Sequence, residues 1–172
     1  MPQEEFMLLY EPIHQQLALY CRAISKIKED AEDLMNETIL ISFQNFQSLK
    51  DRKAFKYYCF KIPSNLNKRL MSKNRVQYKP AELWPDVEAN DISAEILVDY
   101  GIIYKEIMQL PIKTSEALIL HFISDLSYED IREIQGGSLS SVKMRIQRGK
   151  DKLLQQFSKE RDLKVVLTAI LL

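Results

Sequence analysis

Four glycines and six prolines are all that interrupt 172 residues, and two of the glycines are adjacent, Gly136-Gly137. Long stretches therefore hold nothing that would break a helix. Across them apolar residues recur at steps of three and four, the period of one helix face. Leu9, Ile13, Leu17, Tyr20 and Ile24 make the first such stripe. A second helix is predicted from near Asp30. There Asp30 and Asp33 have capping-box spacing with acids substituted, and the early acids suit the positive helix end. Leu34, Thr38, Ile41 and Asn45 continue its stripe, with Phe43 and Phe46 beside it. A third helix should run from Ala54 to about Lys73, where the internal Pro63 should kink or divide it. The pattern lapses over residues 74–92, which contain Pro80 and Pro85 and read as a linker. It resumes from Ala94 to Leu110 and stops at Pro111. Three more helices follow. The first is Thr114 to Ile123, with Leu118 and Phe122 inward. The second is Ser127 to Gln135, opening on the capping signature Ser127-x-x-Asp130. The third runs from Ser138 to about Phe157. No internal repeat and no strand-like alternation is visible. The predicted fold class is all-α: two small helical modules joined by a flexible acidic linker.

Several function classes are excluded early. Hydrophobic residues make 46% and charged residues 28%, the balance of an ordered soluble chain. No apolar run reaches the length of a membrane span. The opening residues MPQEEFMLLYEPIHQQ carry acids where a signal peptide carries bases, so a cytoplasmic protein is expected. Cys21 and Cys59 form no CxxC pair and read as reduced core thiols. His14 and His121 are the only histidines and lack ligand spacing, so no metal or other cofactor is expected. No nucleophile–base pair or phosphate loop is visible, which argues against an enzyme.

The zero net charge conceals strong blocks. Residues 1–49 carry eight acids and three bases; residues 50–80 carry one acid and ten bases. Residues 81–104 hold six acids and no base, residues 105–131 have a net charge of −3, and residues 132–172 return to +5. Two basic blocks set apart by acidic ones suggest two polyanion contacts on one chain. Chance clustering on a solvated surface is the competing reading. It accounts poorly for the aromatics interleaved in the first block.

The second basic block holds a helix, a Gly136-Gly137-Ser138 turn and a helix, the layout of a helix-turn-helix whose second helix enters the major groove. A helical wheel puts Val142, Ile146, Gly149, Leu153 and Phe157 on one inward face. Met144, Gln147 and Arg148 point away, with Lys143, Arg145, Lys150 and Lys152 on the flanks. Arginine or glutamine can read base edges, and lysine can hold phosphates. Ser138, Ser140 and Ser141 lie at the helix start, where hydroxyls and backbone N–H groups can hold a phosphate. An ordinary amphipathic helix with a basic outer face is the plainer alternative.

The string SDLSYEDIREIQGGSLSSVKMRIQRGKDKL, residues 124–153, closely resembles region 4 of the extracytoplasmic-function (ECF) sigma factors. Leu126, Ser127, Tyr128, Glu129, Asp130, Ile131, Gly136, Val142, Lys143 and Arg145 match the family pattern, and Leu110-Pro111 matches its usual lead-in. AEDLMNE, residues 31–37, resembles the region 2.2 signature. Phe55, Tyr58, Phe60, Lys61, Ile62 and Asn65 resemble the pattern of regions 2.3 and 2.4. Tyr58 stands where the family usually has tryptophan, and Pro63-Ser64 replaces a common alanine-arginine. Gln135 and Gly137 replace apolar residues.

The resemblance implies a division of labour. Residues 1–75 would dock on core RNA polymerase and recognise and melt the −10 element. Residues 76–104 would be the acidic linker and the start of a connecting helix, able to mimic RNA in a polymerase channel or simply to tether. Residues 105–157 would read the −35 element, and 158–172 form an apolar tail. Asp33, Leu34, Glu37 and Ile41 are implied to meet the β′ clamp helices, and region 4 the β subunit flap. Lys53, Lys56, Lys61, Lys68 and Arg69 are implied to neutralise phosphates at the −10 element. Tyr57, Tyr58 and Phe60 would stack on unpaired bases there, and Asn65 would meet a base edge. Phe55 and Ile62 read better as core. At the −35 element the candidates are Ser140, Ser141, Lys143, Met144, Arg145, Gln147 and Arg148. The tail LKVVLTAILL is too short to cross a bilayer, so no membrane insertion is expected. It would pack on region 4 or receive an inhibitor such as an anti-sigma factor. A stand-alone helix-turn-helix regulator is the alternative, and it leaves residues 31–65 unexplained.

Overall fold

The computed structural model describes residues 2–25, 28–73 and 94–157, with side chains for 2–25, 28–69 and 101–157. The expected linker over 74–92 and the tail 158–172 lie wholly outside these residues. Every regular element among the described residues is helical. Helix α1 (Pro2–Ile24) buries Phe6, Tyr10, Ile13, Leu17, Tyr20, Cys21 and Ile24 along one stripe. That stripe contains four of the five residues read from periodicity; Leu9 is half-buried at its edge. Helix α2 (Lys28–Asn45) begins two residues before Asp30 and buries Ala31, Leu34, Thr38 and Ser42. The two hydroxyls turn back on their own helix: Thr38 donates to the Leu34 carbonyl at 2.7 Å and Ser42 to the Thr38 carbonyl at 2.6 Å. A small polar residue can then sit in the core without an unmet donor.

Two 3-10 turns, Phe46–Ser48 and Arg52–Ala54, lead into α3 (Phe55–Lys73). Arg52 ties this loop down. Its guanidinium donates to Glu5 at 2.8 Å and to the Phe46 carbonyl at 2.5 Å, and lies 4.1 Å from the Phe46 ring centre. The helix is not divided at Pro63. Proline removes one backbone donor, and Pro63 is buried where helices on either side hold the segment. Helices α1, α2 and α3 pack on one another around the edge-to-face rings of Phe6, Phe46 and Phe55. Phe55 and Ile62 are core, as read. Cys21 and Cys59 are free and buried. Burial pushes the thiols up to about 12 and about 11, so both stay protonated and unreactive at neutral pH.

The second half begins with α4 (Ala94–Gln109) and α5 (Ile112–Leu118). Helix α5 passes into a wider π turn over Ile119–Ile123, so the single helix expected from Thr114 is two elements. Helix α6 (Tyr128–Gln135) starts on the anticipated box: Ser127 accepts from the Asp130 N–H at 3.1 Å, and Asp130 accepts from the Ser127 N–H at 3.2 Å. Helix α7 (Leu139–Gln156) is capped by Ser138 and buries Val142, Ile146, Gly149 and Leu153, with Phe157 buried at its end. All five inward positions of the wheel are therefore inside.

Gly149 is where α7 crosses α5. A Cβ there would lie 2.9 Å from both Leu118 Cδ1 and Thr114 Cγ2. Gly149→Leu should force the two helices apart and cost about 1–3 kcal/mol, the usual range for overpacking. Thermal denaturation followed by circular dichroism should show a lower Tm, with a smaller drop for Gly149→Ala. An unchanged Tm for both would mean the crossing is looser than its contacts imply.

The halves also pack on each other: α1 lies against the Ile119–Ile123 turn and α3 against α6. The buried apolar side chains of both halves form one continuous cluster.

Candidate nucleic-acid interface

The turn between α6 and α7 needs its glycines. Gly136 has φ +74 and Gly137 φ +94, and the Gly136 N–H donates to the Arg132 carbonyl at 2.7 Å, closing α6. Side-chain-bearing residues avoid this backbone region. The turn aims α7 so that Lys143, Met144, Gln147 and Arg148 are exposed on the side opposite its buried stripe. Met144 is 54% exposed on that side. Ser140 is exposed and Ser141 half-exposed, and both share hydrogen bonds with Ser138 at the helix start. Lys143 and Lys150 lean toward the rings of Tyr128 and Phe122, at 5.7 and 5.6 Å. Gln147 donates to Asp151 at 2.8 Å. Arg145 differs from its neighbours. It is half-buried and donates to Gln135 Oε1 at 2.5 Å.

The first basic block divides differently from the expectation. Lys53, Lys61, Asn65 and Arg69 are exposed, and Tyr57, Tyr58, Lys56 and Lys68 are partly so. Phe60 is fully buried, its ring centre 5.7 Å from that of Tyr20, so it is a core residue and cannot stack on a base. Leu34 is likewise core, 8% exposed, and cannot be a docking contact; Asp33 and Glu37 on the same helix are exposed, and Ile41 is half-buried. Sequence reasoning missed Leu40. It is 55% exposed, one turn beyond Glu37, and breaks the polar face of α2. An apolar residue outside the stripe was the available signal.

Glu116, which sequence reasoning did not single out, joins the two halves through residues read there for other roles. Glu116 on α5 is buried at 6% exposure. Its carboxylate accepts from Tyr20 at 3.0 Å, from the Ser64 hydroxyl, and from Gln135 Nε2 at 2.7 Å, and lies 3.2 Å from Lys68 Nζ. Lys56 Nζ meets Asp130 Oδ2 at 3.0 Å. Asp130 stays below its ordinary carboxylate range. Burial opposes its charge, but hydrogen bonds from Lys56 and Ser127 and the Lys56 charge outweigh it. Burial and the nearby Glu116 charge push the Tyr20 phenol well above its usual value, so it donates at any physiological pH. Among the described residues no group of three metal-ligating side chains occurs, and no helix is long and apolar enough to cross a membrane.

Comparison with known proteins gives this geometry a family. Residues 100–153 match the family model "Sigma-70, region 4", which spans most of α4, α5, α6 and most of α7. The chain is 25% identical to the ECF RNA polymerase sigma factor SigW of Bacillus subtilis over 168 residues, 90% of this chain and 89% of that protein. It is 26% identical to the ECF RNA polymerase sigma-E factor of Haemophilus influenzae, covering 87% and 85% of the two chains. Among solved structures, the sigma factor RpoE bound to the anti-sigma factor NepR from Bartonella quintana matches with a TM-score of 0.67. The match has 23% identity and covers 92% of this chain and 97% of that one. CnrH in complex with the cytosolic domain of CnrY matches with a TM-score of 0.69 at 18% identity, covering 92% and 90%. The helix-turn-helix half of this all-helical chain is a sigma-70 region 4 module. Along about nine-tenths of its length the chain is similar to ECF sigma factors.

Proposed function

We propose that this chain binds core RNA polymerase and directs promoter-specific initiation, reading the −35 element with α7 and opening the −10 element with α3. One observation carries the reading: a helix-turn-helix matched by sigma-70 region 4 lies behind a three-helix module, in a chain similar to ECF sigma factors along about nine-tenths of its length. That span disfavours a stand-alone helix-turn-helix regulator, which would need only the second half. Residues 1–75 are assigned to polymerase docking and the −10 element, 105–157 to the −35 element, 76–104 to the connection and 158–172 to an accessory tail. The protein is a cytoplasmic initiation factor without catalytic chemistry of its own, working through polymerase and promoter DNA, and an anti-sigma factor is its natural regulator.

On α7, Met144, Gln147 and Arg148 supply base-edge contacts, and Lys143, Ser140 and Ser141 hold phosphates. Arg145 joins them once released from Gln135. The test is co-purification with core polymerase, then transcription from a genomic library to find a promoter. On that promoter Arg148→Ala should weaken holoenzyme binding by ~1–3 kcal/mol with relaxed preference at one position. Loss on all sequences, with a flatter salt dependence, would make Arg148 a phosphate contact instead. No effect of Arg145→Ala or Arg148→Ala on a fragment carrying only the −35 element would remove α7 from the reading role.

A further inference from the structure

Lys56, Tyr57 and Lys68 lie on α3, the helix assigned to the −10 element, yet each is occupied by the second half of the chain. Lys56 is paired with Asp130, and Lys68 with Glu116. Tyr57 faces the same acidic helix: burial, then the charges of Asp130 and Glu133, raise its phenol above the ordinary value. Glu116 reaches further. Through Gln135, which accepts from Arg145 at 2.5 Å, the buried carboxylate is linked to the helix assigned to the −35 element. A buried carboxylate is tolerable only when charge and donors surround it. Here Tyr20, Ser64 and Lys68 come from one half, Gln135 from the other, and Glu116 is satisfied as it stands only while the halves are together.

We propose that Glu116 and Asp130 form a built-in latch, carboxylates standing where DNA phosphates would otherwise sit, which holds the two halves closed and competes with promoter DNA for Lys56 and Lys68. A lysine ammonium paired this closely with a carboxylate has part of its charge neutralised and one of its three donors taken, so the closed chain holds DNA phosphates more weakly. The docking candidates Asp33, Glu37 and Leu40 are exposed in this same form. Polymerase can therefore meet the closed chain first, and separation of the halves frees Lys56 and Lys68 on α3. The latch yields because each charge regains water on opening, which offsets the lost attraction. The apolar cluster shared by the halves adds to it, so removing one charge shifts the closed–open balance without abolishing the closed form.

This inference rests on the assignment of α3 to DNA, and its test separates the two. Gln16 Nε2 donates to the Asp125 carbonyl at 3.2 Å across the junction. In the full chain, Gln16→Cys with Asp125→Cys can be joined by a reducible bis-maleimide, since Cys21 and Cys59 are buried. The probe is a fluorescent single-stranded oligothymidylate of about 20 nucleotides, read by anisotropy at low salt, where phosphate contacts dominate. The joined protein should bind at least about tenfold more weakly than the same protein after reduction. Independently, Glu116→Gln keeps the side-chain shape but sets an amide against Lys68 and Gln135. It should bind several-fold more tightly than the unaltered chain and show a larger radius of gyration by X-ray scattering. Equal binding by joined and reduced protein, or a Glu116→Gln protein as closed and as weak as the parent, overturns the latch and leaves the function intact. Undiminished binding by a reduced Lys56→Ala, Lys68→Ala protein removes α3 from the DNA-binding role, and the latch loses its basis with it.

Discussion

Replacing Asp33 and Glu37 together by lysine should abolish co-purification with core polymerase while the circular dichroism spectrum stays helical. Both side chains are exposed on α2, four residues apart and so on one face. Neither packs in the core, so substitutions there should leave stability within about 0.5 kcal/mol. A double charge reversal, in contrast, turns attraction to a complementary patch into repulsion, and like charges set against each other at an interface cost several kcal/mol. At a few kcal/mol, affinity falls more than a hundredfold, enough to lose a complex during washing. Leu40, three residues beyond Glu37 and 55% exposed, supplies the apolar anchor that such an interface needs at its centre. Leu40→Ala should weaken binding without affecting folding. Polymerase retained by the Asp33→Lys, Glu37→Lys protein would end the assignment of this face to docking.

The second half of the chain was largely legible because its elements obey single-helix rules. The stripe from Val142 to Phe157 buries as the helical period requires, Ser127 and Asp130 cap α6, and the adjacent glycines mark the turn. Each of these signals lies within a few residues, where local geometry decides. The first half was harder. Periodicity says which residues share a face but not how many neighbours a helix has. Helix α3 is packed against α1, α2 and α6, so Phe60, on what a two-sided reading makes an outer face, is enclosed against Tyr20. Leu34 shows the converse error: it belonged to the stripe from the start, and the resemblance alone drew it to the surface. Glu116 carried no local sign, and Gln135 stood out only as a polar residue where the resemblance expects an apolar one. The partners of Glu116 stand 96, 52 and 19 residues away in sequence, and no spacing rule reaches them.

Tyr57→Ala and Asn65→Ala should spare the closed promoter complex and impair strand opening. Asn65 is exposed on α3 and Tyr57, eight residues earlier on the same helix, is half-exposed, whereas Phe60 is withdrawn into the core. A ring can stack on a base only after the base has left the duplex, because paired bases hide their faces. Stacking therefore stabilises the open complex and contributes nothing before it. At ~1–3 kcal/mol per stacked base, losing the Tyr57 ring should lower the open-complex population roughly five- to 150-fold. Permanganate reactivity of unpaired thymines reads that population, and filter binding at low temperature reads the closed complex. Loss of Tyr57 also removes a contact with α6, which by itself would favour release of α3 and so cannot produce an opening defect. A template with a pre-melted bubble at the −10 element removes the cost of unpairing. It should restore much of the complex to both variants, whereas a misfolded protein would stay inactive on it. Normal permanganate reactivity with both variants would make these residues structural and place the strand-holding surface elsewhere, in the loop from Gln47 to Lys53 that Arg52 fastens to α1.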